Sequence, residues 1–261
     1  MVVAVEQASS TTPEWAESWQ RSWDSLEESY IPDRESRLTA LLDVVEAMAG
    51  RRWTVLDLAC GTGTVTRRLL ERFPDARSIA LDVDPVLLAI ASATFARDER
   101  VRIVRADLRD ARWRDAVTEQ HVDAVLTATA LHWLSEDVVR RLYGDLSSLV
   151  RAGGVFAHLE AMPLVGMPRL GGGLAEVART RRDRDGLGSR SDWETWWEEV
   201  ARDPVLRSAA ADRRAVFDSN YPTEEFSPPA DWHIDSLRDA GFAEAGVVWR
   251  AGSAAVVAAV R

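Results

Sequence analysis

The run Asp57-Leu58-Ala59-Cys60-Gly61-Thr62-Gly63 constrains this chain more than any other feature, because it lies between an apolar stretch ending at Leu58 and a helical pattern. Small residues let the backbone turn sharply and approach a ligand, and the helix beyond offers unpaired amide groups. A strand that feeds a helix through such a turn belongs to a parallel sheet with crossover helices. Short apolar runs predict strands at 53–58, 78–82, 101–105, 122–127 and 154–159, with helices in the gaps. Two further runs, AEAGVVWR and SAAVVAAV, are separated only by Ala251-Gly252 and predict an antiparallel hairpin.

Three acids close three successive predicted strands. Asp57 stands at the glycine turn, Asp82 ends the second strand, and Asp107 follows the third within Arg105-Ala106-Asp107-Leu108. In an open α/β sheet these ends lie side by side at the edge where ligands bind, and an acid after the second strand suits the two hydroxyls of a ribose. Asp107 could accept from an adenine amino group. Each acid taken singly could instead cap a helix or tie a loop; the ordered set points to a nucleoside. A dinucleotide is disfavoured, because Thr66 stands where a third glycine is expected and a pyrophosphate sits badly beside Asp57. S-adenosylmethionine, with an ammonium and a sulfonium, suits an acid at that turn.

The segments outside this alternation read as helices. Thr12-Pro13-Glu14 supplies a cap, a first-turn proline and an acid, predicting a helix to about Ser29. A second helix follows Ile31-Pro32-Asp33 and ends at Gly50. Asp84-Pro85 and Ser135 begin two more. Residues 161 to about 226 break the rhythm with Gly171-Gly172-Gly173, an arginine-rich stretch, a Ser191-x-x-Glu194 capping box and a helix start at Asp203-Pro204. The expected layout is an N-terminal helical lid over 1–50, a core over 51–160, an inserted helical cap over 161–227, and a C-terminal helix and hairpin over 228–261 that complete the core sheet.

Composition excludes several chemistries. All 32 basic residues are arginine, so a Schiff-base lysine, a lysine general base and a lysine phosphate loop are ruled out. A codon bias toward arginine explains this as well as any function does. Cys60 is the only cysteine, and His121, His132, His158 and His233 form no H-x-x-x-H pair, so neither a disulfide nor a metal site is expected. A net charge of -10 opposes a nucleic-acid partner. No apolar run approaches a membrane span, and the first residues lack the pattern of a signal or transit peptide, so a cytoplasmic enzyme, monomer or homodimer, is expected.

With these residues in place, the chain resembles the class I, seven-stranded S-adenosylmethionine-dependent methyltransferases, by motif over roughly 51–160 and by architecture at the final hairpin. The resemblance implies an α/β fold: a three-layer, Rossmann-like sheet of seven strands, mostly parallel, its last strand antiparallel beside the fifth. It implies that Asp57 lies near the methionine amino group, that Gly61 and Gly63 pass under the cofactor, that Asp82 holds the ribose and that Asp107 meets adenine. Ala59, where the family often has glycine, is counted with them, as are Val83, Leu108 and, at the end of the fourth strand, Thr127. S-adenosylhomocysteine would be the product.

For the acceptor, the chain reads Thr127-Ala128-Thr129-Ala130-Leu131-His132-Trp133-Leu134 and has no N-P-P-Y-like motif, which counts against adenine or glutamine as substrate. The LHWL segment looks like the small-molecule branch, including enzymes of trans-aconitate and of natural products. His132 is the first candidate for a general base, with packing inside its loop as the alternative. Tyr30 is the second catalytic candidate, at the junction of the leading helices, where Arg34 could pair with the methionine carboxylate or form a surface salt bridge. Trp133 and Glu160 are substrate candidates; Glu160 could equally be a solvated or capping carboxylate. Trp15, Trp19, Trp23, Trp193, Trp196 and Trp197 lie outside the predicted sheet and either wall a pocket or bury one face of a helix.

The favoured reading is methyl transfer to a small molecule, with O-methylation slightly ahead. A nicotinamide-dependent oxidoreductase shares the ribose acid but lacks a Tyr-x-x-x-Lys pair. A protein that holds S-adenosylmethionine without transferring its methyl, for instance to assist a cyclisation, is the third reading.

Overall fold

The computed structural model describes residues 11–31, 33–48, 52–184, 190–217 and 225–261. Strands β1 (Thr54–Leu58), β2 (Arg77–Asp82), β3 (Val101–Arg105), β4 (Val122–Ala128), β5 (Val150–Ala161), β6 (Glu244–Ala251) and β7 (Ala254–Val260) form one sheet in the order β3-β2-β1-β4-β5-β7-β6. The first five pair in parallel, and β7 runs antiparallel to both β5 and β6. The last strand is therefore inserted between its predecessor and the fifth, as expected. The order reverses between β1 and β4, which is where an open α/β sheet leaves a crevice at its carboxyl edge.

Both faces of the sheet are covered, so its central strands read as continuous apolar runs rather than alternating ones. On one face, α5 (Glu136–Leu149) and α9 (Ala230–Asp239) bury Tyr143, Leu146 and Leu237 against Leu58, Leu81 and Phe156. On the other, α2 (Arg34–Ala47) and α3 (Thr64–Arg72) bury Leu41, Val45 and Leu69 against Val55 and Leu126. Each such side chain, removed from water, contributes about 1.5–3 kcal/mol. A third cluster joins α1 (Pro13–Tyr30), α4 (Pro85–Thr94), α7 (Arg190–Arg202) and α8 (Arg207–Phe217) through Trp23, Leu26, Val86, Ile90, Trp196 and Leu206.

Two predicted caps form as the sequence indicates: Thr12 Oγ1 accepts from Trp15 N at 3.2 Å, and Asp84 Oδ1 accepts from Val86 N and Leu87 N at 2.9 and 3.3 Å. Other boundaries differ. Helix α2 ends at Ala47, and the expected stop at Gly50 lies outside the described residues. Gly171, Gly172 and Gly173 lie inside α6 (Pro168–Arg184); glycine costs a helix about 1 kcal/mol per residue but does not forbid it. Ser191 falls within the first turn of α7 rather than before it. Asp203 caps a turn ahead of α8, accepting from Val205 N and Leu206 N, while its Oδ2 takes the indole N–H groups of Trp15 and Trp19 at 3.0 and 3.3 Å. Among the described residues no helix is long and apolar enough to cross a membrane.

Candidate active site

A cavity of about 450 Å³ opens at the carboxyl ends of β1, β2 and β4. Asp57, Ala59, Gly61, Asp82, Val83, Asp107 and Leu108 line its floor, and Trp23, Glu27, Arg34, Trp193, Trp197 and Arg213 come from the helices over it.

The three strand-end acids are held differently. Asp57 is buried at the cavity wall, and its Oδ2 accepts from Thr66 N at 2.9 Å and Thr66 Oγ1 at 2.7 Å. Burial pushes its carboxyl up to about 7 against the pull of the Thr66 bonds, with the Asp82 charge adding to the rise. Asp82 accepts from Val83 N (2.7 Å) and Asp84 N (2.9 Å) on Oδ1 and from Gly61 N (2.8 Å) on Oδ2, so it ties the glycine turn to the end of β2. Burial raises it to about 6 despite those bonds. Asp107 is clamped by Arg109, whose Nε and Nη2 approach at 3.0 and 2.6 Å; burial opposes ionisation there, but Arg109 holds the carboxyl below its ordinary value.

The turn places backbone in unusual regions. Gly61 and Gly63 have φ of +56° and +83°, and Ala59 has +59°, a left-handed conformation that explains why glycine suits its position. A Cβ on Gly63 would lie 2.5 Å from the Phe95 ring, so this glycine packs under α4 and does not line the cavity. Thr129, at the end of β4, is β-branched yet has φ of +52° and faces the cavity. Such strain persists where surrounding structure imposes it, commonly at functional sites. Thr127, the residue expected at this strand end, is fully buried within β4, away from the cavity lining.

His132 and Glu160 meet at 2.9 Å through Nδ1 and Oε2, leaving the imidazole Nε2 as its remaining nitrogen. Glu160 is buried rather than solvated, and His158 Nε2 lies 3.7 Å from the same oxygen. Burial alone would raise the Glu160 carboxyl, but the two histidines hold it well below its ordinary value. Burial alone would lower His132, but the Glu160 hydrogen bond and charge raise it above 6.5. Neither residue is part of the cavity wall. The His132 ring packs 4.9 Å from Trp133, which is, and its side chain keeps 15% of its exposure. Behind them, His233 Nδ1 meets the Tyr143 hydroxyl at 2.7 Å.

Arg34 lines the cavity but is buried and paired with Asp24 (3.0 Å), not with solvent. Asp24 also takes Arg67 at 2.5 Å and the Thr64 hydroxyl at 2.8 Å, fastening α1 and α2 to α3. Tyr30 packs edge-on to Trp193, with centroids 6.1 Å apart, and stands outside the wall. Sequence reasoning missed Glu27 and Arg213. Burial pushes the Glu27 carboxyl up, against the charges of Arg34 and His132. Arg213 pairs with Asp84 at 2.6 Å and stacks on Trp197 at 3.7 Å. Nothing in the local sequence marks either, because both depend on how separate helices cross.

Residues 55–154 match the family model described as "Methyltransferase domain". Curated relatives include a malonyl-[acyl-carrier protein] O-methyltransferase of Acetivibrio thermocellus, 29% identical over 135 residues, covering 51% of this chain and 46% of that protein. A trans-aconitate 2-methyltransferase of Acidovorax ebreus is 32% identical over 136 residues, covering 52% and 48%. Residues 55–154 are a class I S-adenosylmethionine-dependent methyltransferase domain. The chain spans about half the length of these curated relatives. In fold, it is similar to human N-acetylserotonin methyltransferase in complex with SAM, with a TM-score of 0.56 at 16% identity, covering 96% of this chain and 56% of that one. PigF with SAH gives 0.57 at 14% identity, covering 96% and 60%.

The donor set of this methyltransferase domain fits its cofactor. A cavity wall with Asp57 and Asp82 held near neutrality by burial, and with both of its described arginines already paired, favours a ligand that brings positive charge.

Proposed function

We propose that the protein transfers the methyl group of S-adenosylmethionine to a hydroxyl oxygen of a small molecule. When bound, S-adenosylmethionine supplies a methyl group activated by a sulfonium. Asp57 would hold its ammonium and Asp82 its ribose, with Val83, Asp107 and Leu108 around the adenine and Gly61 and Ala59 beneath. Helices α1, α7 and α8 act as a lid over the core, while α2 packs on the sheet beside α3. Positioning and exclusion of water do most of the work in such a displacement, and the tryptophans over the cavity provide both.

The His132–Glu160 pair is the observation that carries the hydroxyl reading. A hydroxyl must lose its proton as it attacks, and an imidazole whose Nδ1 is fixed by a buried carboxylate presents Nε2 as acceptor for that proton. Glu160 orients the ring and stabilises the imidazolium that forms, and Trp133, whose ring lies 4.9 Å from the imidazole, lines the adjoining cavity.

The pH profile of Glu160→Gln tests this. His132 works deprotonated, and in the wild type its pKa lies above 6.5, so turnover rises with pH through that raised value. Removing the carboxylate leaves burial as the dominant influence, so the rise moves to lower pH while the plateau falls. An unmoved profile would exclude His132 as the base.

A further inference from the structure

We propose that His158 is a positioning residue for the methyl transfer: it turns an Nε2–H toward Glu160 and so sets how firmly Glu160 holds a proton on His132. The proposal rests on the reading of His132 as general base and adds a third member to its pair.

Geometry carries it. His158 and Glu160 stand two apart in β5, so both side chains leave the same face of the strand. His158 is fully buried, and neither of its ring nitrogens has a hydrogen-bond partner among the described residues. A buried imidazole must still point an N–H somewhere. Its Nε2 lies 3.7 Å from Glu160 Oε2, the oxygen that also takes His132 Nδ1 at 2.9 Å. A lone pair aimed at that carboxylate would repel it, so the proton belongs on Nε2. At 3.7 Å the contact is too long for a hydrogen bond and acts through charge and dipole, which burial strengthens.

The described surroundings offer His158 no rival charge. Val257 on β7 and Thr127 on β4, whose buried hydroxyl is uncharged, flank it in register. From α9, His233 packs edge-on with centroids 4.9 Å apart; burial and His158 lower it to about 3, so it stays neutral near neutral pH. From α5, Tyr143 meets His233 at 2.7 Å, and burial pushes its hydroxyl above its ordinary value, so it is neutral too. The chain from His132 through Glu160, His158 and His233 therefore ends at a fully buried phenol. With no outlet to water it cannot carry a proton away, and instead tunes the group that takes one. The charges of Glu27 on α1 and of Glu225 ahead of α9 also reach His132 and favour the imidazolium, as Glu160 does; the His158 N–H opposes them. Loss of that N–H leaves Oε2 to His132 alone, so the imidazole keeps its proton to higher pH. That direction is opposite to the one expected when Glu160 itself is removed.

The test is NMR of the full chain supplied with carbon-13 histidine, which gives four signals, from His121, His132, His158 and His233; His132→Asn assigns the one of interest. His158→Leu should move the His132 midpoint up by about half a pH unit. Glu160→Gln should move it down, and His158→Gln, whose amide restores a donor near Nε2, should return it toward wild type. Should His158→Leu not fold, His158→Met removes the same donor. An unmoved or lowered midpoint in the apolar variant overturns the proposal, and so does a His158→Gln that behaves like it, because packing alone would not separate the two. A Glu160→Gln midpoint that does not fall removes the link through which His158 acts and overturns it as well. The midpoints are read without cofactor or acceptor, so they stand apart from the methyl-transfer reading: with the shifts present, turnover unaffected by His132→Ala counts against that reading alone.

Discussion

At the sheet's rim, Asp57 and Asp82 are fixed by backbone amides and a threonine at 2.7 to 2.9 Å, whereas above it Trp23, Trp193 and Trp197 are held by ring contacts whose centroids lie about twice as far apart. Hydrogen bonds to ionised groups are short and directional, so the rim is set to a fraction of an ångström. Ring packing is tolerant of small shifts. The rim therefore suits a ligand that is always the same, and the helices suit one that distinguishes this protein from other users of that cofactor.

If the two regions divide the work in this way, variants should separate turnover from cofactor affinity. The largest effect is expected from His132→Ala, which should lower turnover by about 10²- to 10⁴-fold, the usual worth of a general base, with S-adenosylhomocysteine binding nearly unchanged in calorimetry. Parallel loss of both would make His132 a structural residue and blur the division. Asp82→Ala comes next. It leaves the amides of Gly61, Val83 and Asp84 without their acceptor, and cofactor binding should weaken by about 1–3 kcal/mol with a lower Tm. An unaltered dissociation constant would remove Asp82 from the ribose site. The smallest effect is expected from Ala59→Gly. Relief of a left-handed alanine, worth roughly 1–2 kcal/mol, opposes the extra freedom glycine gives the unfolded chain, about 0.4–1 kcal/mol. Denaturant unfolding should show a gain between zero and about 1.5 kcal/mol, and a loss would mean that the Ala59 methyl packs against something essential.

The same contrast explains what could be read from the sequence. The rim was legible because a parallel strand, its glycine turn and the acid after it are neighbours in the chain, so local pattern and tertiary position coincide. Even there, the bond from Gly61 N to Asp82 joins residues 21 apart and has no local signature. Thr66 served only as a missing glycine, whereas it is the residue that fixes Asp57. The helices above were legible as helices, but Arg213 reaches Asp84 across 129 residues and Trp196 donates to Ser22 across 174. Such pairs follow from crossing geometry that no periodicity encodes. Local rules failed most where tertiary packing or exposure decides, as in the glycine run inside α6 and the serine inside α7.

Proton release on cofactor binding tests the rim directly. In the free protein, burial holds Asp57 near 7 and Asp82 near 6, so near pH 6.5 a large share of the two carboxyls is protonated. A cationic ligand favours their ionised forms, so binding must expel protons and strengthen as pH rises through 6 and 7, levelling off above that range. Calorimetry of S-adenosylmethionine at that pH, in buffers of different ionisation enthalpy, should register net proton release that Asp57→Asn reduces. Binding with no proton release, or tight binding of NADH with none of S-adenosylmethionine, would contradict the account.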